Sequence, residues 1–316
     1  MKNIFLFGEC MIELMATSQG KSSNTMQQSF AGDVFNTAVY LKRTFAELNV
    51  HLVTAVGKDQ FSLDMIKYFD NENISSDFVF TSATKIPGLY SIQLDAQGER
   101  SFTYWRENSA ARQVMQHISD DVITQLSTGD MFFFSGISLA VIEPEARAQF
   151  WTLIDKLKAA GVQIVFDPNY RPRLWSGPKE AQEQFELAFE KSNLSLPGVD
   201  DFEQLFGMNS VEQVYNYCQH FALNELIIKN GEQGILVVVN GVSTEFLITP
   251  VANVVDTTSA GDSFNGVYLG ARIYGYDISD AIALASKAAG FVIQHKGAIA
   301  PADEFGRFIK AQLAAI

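Results

Sequence analysis

A run of small residues with an acidic residue at each end offers the clearest chemistry in this 316-residue chain: Asp256-Thr257-Thr258-Ser259-Ala260-Gly261-Asp262. It follows a β-rich stretch and precedes an apolar helical pattern. The first N–H groups of a helix have no partners within it and carry the positive dipole end, so they favour anions such as phosphoryl oxygens. A carboxylate placed there suits a general base: Asp262 would take the proton of a hydroxyl that attacks a phosphoryl group held by these amides. The alternative is that Asp262 only caps the helix.

The elements that must position this run alternate between short apolar stretches and helical patterns. The stretches at 4–7, 51–56, 131–134, 162–166 and 225–228 are typical of buried strands, and helical patterns cover 36–43, 61–71, 145–160, 179–191 and 263–274. This alternation predicts an α/β fold with a mostly parallel central sheet and helices on both faces. Ligands in such folds lie beyond the carboxyl ends of the strands, where Gly8, Gly57, Gly136, Asp167 and Lys229 fall.

One segment departs from the alternation. Residues 88–95 and 99–106 are typical of two strands joined by Ala96-Gln97-Gly98, the pattern of a type I turn followed by a bulge. That register pairs Tyr90 with Tyr104 and puts both on one face with Arg106. Hydroxyls and a guanidinium on one face favour a lid over a polar substrate, and an ordinary hairpin packed on the core is the alternative.

Composition narrows the function classes. A net charge of −13 and a pI near 4.7 disfavour nucleic-acid binding, which needs clustered cations. The apolar start is too short for a signal peptide, and no membrane attachment is expected. Cys10 and Cys218 stand far apart and in no metal spacing, which fits two ordinary thiols in the cytoplasm.

Motifs along nearly the whole chain resemble those of the ribokinase-like (PfkB) family of carbohydrate kinases. They are the D-T-x-x-A-G-D pattern at 256–262, GECMIEL at 8–14, AGDVFN at 31–36, GLY at 88–90, GERSFTYWR at 98–106, DPNYRPRLW at 167–175 and KNGEQG at 229–234. The resemblance implies one ribokinase-like three-layer domain over 1–316, with a small β-sheet lid from about 13–30 and 86–107. It also implies ATP and Mg²⁺, with K⁺ as a further candidate ion, and a homo-oligomer contact through the lid.

The resemblance also assigns roles to particular residues. Asp262 would be the catalytic base, beside an anion hole of Ser259, Ala260 and Gly261. The substrate would contact Gly32, Asp33, Asn36, Tyr90, Tyr104, Arg106, Arg171 and Asp256. The nucleotide would contact Asn169, Arg171, Lys229, Gly231, Gly234, Ser259 and Gly261. The alternatives are a helix N-cap for Asp33, surface ion pairs for the arginines and a plain turn for 229–234.

Two arginines bear on the choice of substrate. Arginine binds carboxylates bidentately, so Arg106 and Arg171 favour a sugar acid such as 2-dehydro-3-deoxygluconate, phosphorylated on its terminal hydroxyl. A neutral-sugar kinase acting on fructose, and a non-catalytic sugar-binding protein on this scaffold, stay open.

The chain departs from the family pattern at one place. Many members carry an N-x-x-E motif that helps to set Mg²⁺, whereas here Gly198 stands in place of the Asn and Asp200 or Asp201 in place of the Glu. We therefore expect no direct protein ligand for Mg²⁺ and a contact through water at most, from Asp201.

Overall fold

Two β-sheets organise the chain in the computed structural model, which describes residues 1–16, 25–94 and 100–316. The larger sheet has nine strands in the order β13-β12-β11-β10-β9-β8-β1-β4-β5, and the smaller has four in the order β3-β2-β6-β7. The predicted α/β class, a mostly parallel sheet with helices and a small additional sheet, is confirmed. No helix in the described ranges is long and apolar enough to cross a membrane.

The large sheet is parallel from β5 to β11 and ends in an antiparallel hairpin. Its strands are β1 (Asn3–Phe7), β4 (Asn49–Val56), β5 (Val79–Thr81), β8 (Met131–Ser135), β9 (Gln163–Asp167), β10 (Leu194–Ser195), β11 (Glu225–Lys229), β12 (Ile235–Val239) and β13 (Val242–Phe246). Asn240 and Gly241 join the last two with φ of 49° and 80°, as a type I′ turn requires.

Both faces of this sheet are buried, which explains why its strands are continuous apolar runs. Ile4 and Leu6 belong to the core on one face, whereas Phe5 and Phe7 belong to the core on the other. The first core packs against α1 (Asp33–Thr44), α2 (Gln60–Asn71), α9 (Ala260–Tyr274), α10 (Ile278–Val292) and α11 (Ala302–Leu313). The second packs against α3 (Asp120–Leu126), α4 (Gly136–Val141), α5 (Arg147–Ala159), α6 (Pro178–Lys191), α7 (Val199–Phe206) and α8 (Val211–Cys218).

The close packing of α9 on α1 depends on two glycines. A Cβ on Gly266 would collide with the carbonyl oxygen of Thr37 and lie 2.9 Å from the amide nitrogen of Leu41. A Cβ on Gly270 would lie 2.7 Å from a ring carbon of Phe45. Because neither side chain exists, the two helices approach closely, and the first turn of α9 lies beside the first turn of α1.

The small sheet is formed by β2 (Met11–Ala16), β3 (Met26–Ala31), β6 (Leu89–Leu94) and β7 (Arg100–Trp105). Tyr90 pairs with Tyr104 across β6 and β7, and their rings stack with centroids 5.6 Å apart. The predicted pairing of the two tyrosines is therefore confirmed, although the turn at Ala96-Gln97-Gly98 lies outside the described residues. Tyr90 and Ile92 pack with Ala298, so this face of the sheet meets the body of the protein.

Candidate active site

Five polar side chains meet beyond the carboxyl ends of the parallel strands. Asp33 and Asn36 come from the first turn of α1, Asp167 ends β9, Lys229 ends β11, and Asp262 lies in the first turn of α9. Hydrogen bonds join Asn36 to Asp262 and Lys229 to Asp167, whereas Asp33 is bonded to Asn169. We call this assembly the catalytic floor.

Asp262 is held by Asn36. The Asn36 side-chain amide donates to Asp262 Oδ2 at 2.8 Å, and its carbonyl oxygen accepts from the Gly32 amide at 3.4 Å. Burial, together with the negative charge of Asp33, raises the pKa of Asp262 to about 7, although the hydrogen bond from Asn36 acts in the opposite direction. The carboxyl therefore exchanges its proton near neutral pH, as a general base should.

The turn before α9 is strained and open to ligand. Ser259 precedes the helix in the left-handed region, with φ of 64°, and its side chain does not cap the helix. The Ala260 amide donates to the Thr257 carbonyl at 3.3 Å, so it is less available for an anion than we expected. Gly261 and Asp262 supply first-turn amides for which α9 itself offers no acceptor. A Cβ on Gly261 would meet no atom within 4 Å, so the space beside its Cα is open.

Asp256 braces this turn. Its Oδ1 accepts from the Thr258 amide at 3.0 Å, and its Oδ2 accepts from the Gly297 amide at 2.6 Å. Asp256 is buried, and both oxygens are committed to the backbone. These two bonds hold the shape of the turn, and the substrate contact of Asp256 that the family pattern implies stays a prediction.

A second buried group lies beside Asp262. Asn265 donates to Asp167 Oδ2 at 2.8 Å and accepts from Lys229 Nζ at 3.1 Å, while Lys229 lies 3.4 Å from Asp167 Oδ1. Lys229, expected at the nucleotide, is thus already paired. Sequence reasoning missed Asn265 and did not count Asp167 among the site residues. The signal for Asn265 was its position three residues after Asp262, on the same face of α9.

Asp33 faces the floor rather than capping its helix. Gly32 is the N-cap of α1, Asp33 is the first helical residue, and Asn169 donates to its Oδ2 at 3.1 Å. The N-cap alternative is therefore wrong. Burial raises the pKa of Asp33, and the charge of Arg106 only partly offsets this. Asn169 has a φ of 36°, unusual for a residue other than glycine.

Two glutamates that sequence reasoning missed hold Arg106 and Tyr90, two residues expected on the lid. Arg106 is only 8% exposed, and its Nε and Nη2 both donate to Oε2 of Glu9, the former at 2.9 Å. The Tyr90 hydroxyl donates to Glu13, which also accepts from Ser29 at 2.7 Å. We call this set the root of the small sheet. The signal was two acidic residues inside the apolar run GECMIEL.

Arg171 and Tyr104 are more exposed. The Arg171 side chain is 55% exposed, donates to the Tyr170 carbonyl at 2.9 Å and lies 3.9 Å from Asp201. Tyr104 is 44% exposed beside Tyr90. Arg171 is therefore free to turn towards a ligand, whereas Arg106 is fixed.

The region expected to lie near Mg²⁺ carries a half-buried carboxylate, Asp201. Asp201 accepts from the Tyr170 amide at 2.8 Å, and burial raises its pKa to about 6. Gly198 is the N-cap of α7. Within the described residues, no group of three or more histidines, cysteines or acidic residues is arranged to hold a metal ion.

The loop after β11 needs its glycines for backbone reasons. Gly231 and Gly234 have φ of 52° and 124°, and a Cβ on Gly234 would lie 2.7 Å from the Phe246 carbonyl oxygen. The loop thus packs closely on β13. These positions are compatible with the expected nucleotide contact but are explained without one.

A carboxyl group that titrates near pH 7 beside open helix-start amides is suited to phosphoryl transfer to a hydroxyl. Residues 1–304 match the pfkB family of carbohydrate kinases. The chain belongs to this family, and the predicted enzyme class, a carbohydrate kinase, is confirmed.

Named relatives agree with this assignment. The chain is 39% identical to 2-dehydro-3-deoxygluconokinase of Haemophilus influenzae, over 95% of this chain and 96% of the relative. It is 38% identical to the protein of the same name from Dickeya dadantii, over 96% and 98% of the two chains. Its fold matches the crystal structure of a putative ribokinase II from E. coli in complex with ATP and Mg²⁺, with a TM-score of 0.83 at 21% identity, covering 98% and 100% of the two chains.

Proposed function

We propose that the protein transfers the terminal phosphoryl group of ATP to the 6-hydroxyl of 2-dehydro-3-deoxy-D-gluconate, giving 2-dehydro-3-deoxy-6-phosphogluconate and ADP. The observation that carries the proposal is the Asp262 carboxyl, oriented by Asn36 at 2.8 Å, with its pKa raised to about 7 beside the open amides of α9. The names of the relatives support the substrate, as does a buried guanidinium at the root of the small sheet.

The chemistry assigned to the chain is as follows. Asp262 takes the proton of the attacking hydroxyl on its Oδ1, since Oδ2 accepts from Asn36. The hydroxyl oxygen bonds to the γ-phosphorus, and the bond from that phosphorus to the bridging oxygen of ADP breaks. The amides of Gly261 and Asp262 hold the phosphoryl oxygens and balance the charge that develops on them.

Mg²⁺ bound to the nucleotide supplies further positive charge to the phosphate oxygens. Among the described residues, Asp201 is better placed to contact Mg²⁺ through water than to ligate it directly, because it already accepts from the Tyr170 amide and lies near Arg171. A K⁺ requirement, a cytoplasmic location and a homo-oligomer contact through the lid stay predictions.

The lid role of the small sheet is part of the proposal. Tyr90, which stacks on Tyr104, packs near Ala298 of the body, and Arg106, directly after β7, is bonded to Glu9. A sheet placed there would exclude water from the phosphoryl group and limit ATP hydrolysis.

A substrate comparison tests the proposal. ADP formation is measured with purified protein, ATP and Mg²⁺, using 2-dehydro-3-deoxygluconate, fructose or ribose as acceptor. We expect the sugar acid to have the highest kcat/KM by at least about tenfold, the worth of one charge-assisted hydrogen bond. A higher kcat/KM for fructose would show that the substrate is a neutral sugar. If no sugar increases ADP formation, the protein binds sugars without phosphorylating them.

A further inference from the structure

The buried pair of Glu9 and Arg106 distributes its hydrogen bonds unevenly. Two nitrogens of the guanidinium, Nε and Nη2, donate to the same carboxylate oxygen, Oε2. The other oxygen, Oε1, is buried and has no donor among the described residues. The hydrogen bonds found in these ranges also leave Nη1 of Arg106 without an acceptor. The pair therefore fixes the guanidinium while keeping one of its nitrogens available.

The absence of a side chain at Gly88 leaves space for the pair of Glu9 and Arg106. A Cβ on Gly88 would lie 2.7 Å from Oε1 of Glu9 and 3.0 Å from Cβ of Arg106. Gly88 is not among the positive-φ glycines, so its backbone does not need glycine. The requirement is one of space, and any side chain at this position would displace the carboxylate or the arginine.

The pair lies next to the catalytic floor. The charge of Arg106 acts on Asp33, the first residue of α1. The backbone carbonyl of Glu9 lies so close to Gly32 that a Cβ on that glycine would collide with it. Glu9 thus contacts the segments of Gly32 and Arg106, both of which the family resemblance assigns to the substrate.

We propose that Glu9 is a positioning residue that, in the room left by Gly88, holds the Arg106 guanidinium with Nη1 available for the carboxylate of a sugar acid. The inference rests on the proposed function. An arginine that is already immobilised loses less freedom when it binds a ligand, and a buried guanidinium without a counter-charge would be costly.

Glu9→Gln tests this role, because it keeps the shape of the side chain and removes its charge. We expect KM for 2-dehydro-3-deoxygluconate to rise about tenfold, while kcat and KM for ATP stay within about twofold. Glu72→Gln is the matched control: Glu72 pairs with Arg43 at 2.7 Å, in a similarly buried pair between α2 and α1. The control should lower thermal stability without a selective rise in KM.

Further variants keep the test decisive. Glu9→Asp replaces Glu9→Gln if the latter does not fold, and Gly88→Ala should give the same selective rise in KM. Arg106→Lys should remove the preference for the sugar acid, and adding Glu9→Gln to it should change KM by less than about twofold, because coupled residues are not additive. Additive losses, or equal rises in KM for the sugar acid and ATP, would overturn the positioning role.

The proposed function is decided separately, by turnover of 2-dehydro-3-deoxygluconate in the unmodified protein. If that turnover is present and Glu9→Gln leaves KM unchanged, only the positioning role of Glu9 is refuted. If that turnover is absent, both proposals fall.

Discussion

The catalytic floor and the root of the small sheet both bury acidic side chains, but they give them different partners. On the floor, Asp262 and Asp33 receive hydrogen bonds from the amide side chains of Asn36 and Asn169. At the root, Glu9 receives two hydrogen bonds from a guanidinium, and Glu13 receives one from the Tyr90 hydroxyl.

The difference decides what each carboxyl group can do. A neutral amide compensates only part of the cost of burying a negative charge, so the pKa values of Asp262 and Asp33 rise. A guanidinium compensates the charge and is itself held in place. Under the two proposals, the Asp262 carboxyl on the floor takes a proton, whereas the Glu9 carboxylate at the root orients a guanidinium.

Asp262→Asn is the strongest test of the floor. We expect kcat to fall by on the order of 10² to 10⁴, because the general base is lost. The amide oxygen can still accept from Asn36, so folding and ATP affinity should be kept. Turnover is measured by coupled assay and ATP binding by calorimetry. Turnover close to that of the unmodified protein would show that another group takes the proton.

The same variant should also change how the stability of the protein depends on pH. The pKa of Asp262 rises from 3.8 to about 7 on folding, so the folded state binds a proton more tightly than the unfolded state. Protonated Asp262 therefore stabilises the fold fully below pH 4, and this contribution is lost as pH rises to about 7.

At pH 8 the free energy of unfolding of Asp262→Asn should therefore exceed that of the unmodified protein by at most about 4 kcal/mol, and the variant should melt at a higher temperature there but not at pH 4. Thermal melts at both pH values check this. Equal differences at the two pH values would mean that Asp262 does not titrate with a raised pKa.

Asn36→Ala should sharpen the contrast between the two kinds of partner. The hydrogen bond from Asn36 favours the charged form of Asp262, so its loss should raise the pKa further, by on the order of one unit. The acidic limb of the kcat/KM profile should move to higher pH by that amount. If kcat/KM falls at every pH without a shift of the acidic limb, Asn36 contributes to substrate binding and not to the pKa of Asp262.

Tyr104→Phe has the smallest expected effect. If the small sheet is a lid, the exposed Tyr104 hydroxyl should contribute about 0.5–1.5 kcal/mol to sugar binding and nothing to ATP binding without sugar. Tyr90→Phe is the comparison, because its hydroxyl donates to Glu13 and its loss should lower thermal stability. Weaker ATP binding in Tyr104→Phe would argue against the lid.

The sequence predicted the strands that are buried on both faces, the helices between them and the pairing of Tyr90 with Tyr104. The family resemblance assigned about 13–30 to the small β-sheet, but the residue pattern did not locate β2 and β3 within it, because residues such as Gln27, Gln28 and Ser29 do not form an apolar run. It also missed β10, which has two residues, and the short helices α3, α4, α7 and α8. Elements this short carry too few residues for a periodic signal.

The candidate site shows a similar limit. Residue types and motif positions identified Asp262, Asn36, Asp33 and Arg106, but not which of them touch. That Arg106 is committed to Glu9, and Lys229 to Asp167, depends on tertiary packing between segments far apart in the chain. Local patterns do not contain that information.

The bond between Asn36 and Asp262 joins residues 226 positions apart, and this separation has a consequence for synthesis. A ribosome therefore releases α9 long after α1, and the proposed base and helix-start amides lie in α9. Until α9 has emerged and packed through Gly266 and Gly270 onto α1, a growing chain has neither the base nor the helix-start amides. Under the proposed function, a nascent chain that holds α1 but not yet α9 therefore has no means of consuming ATP.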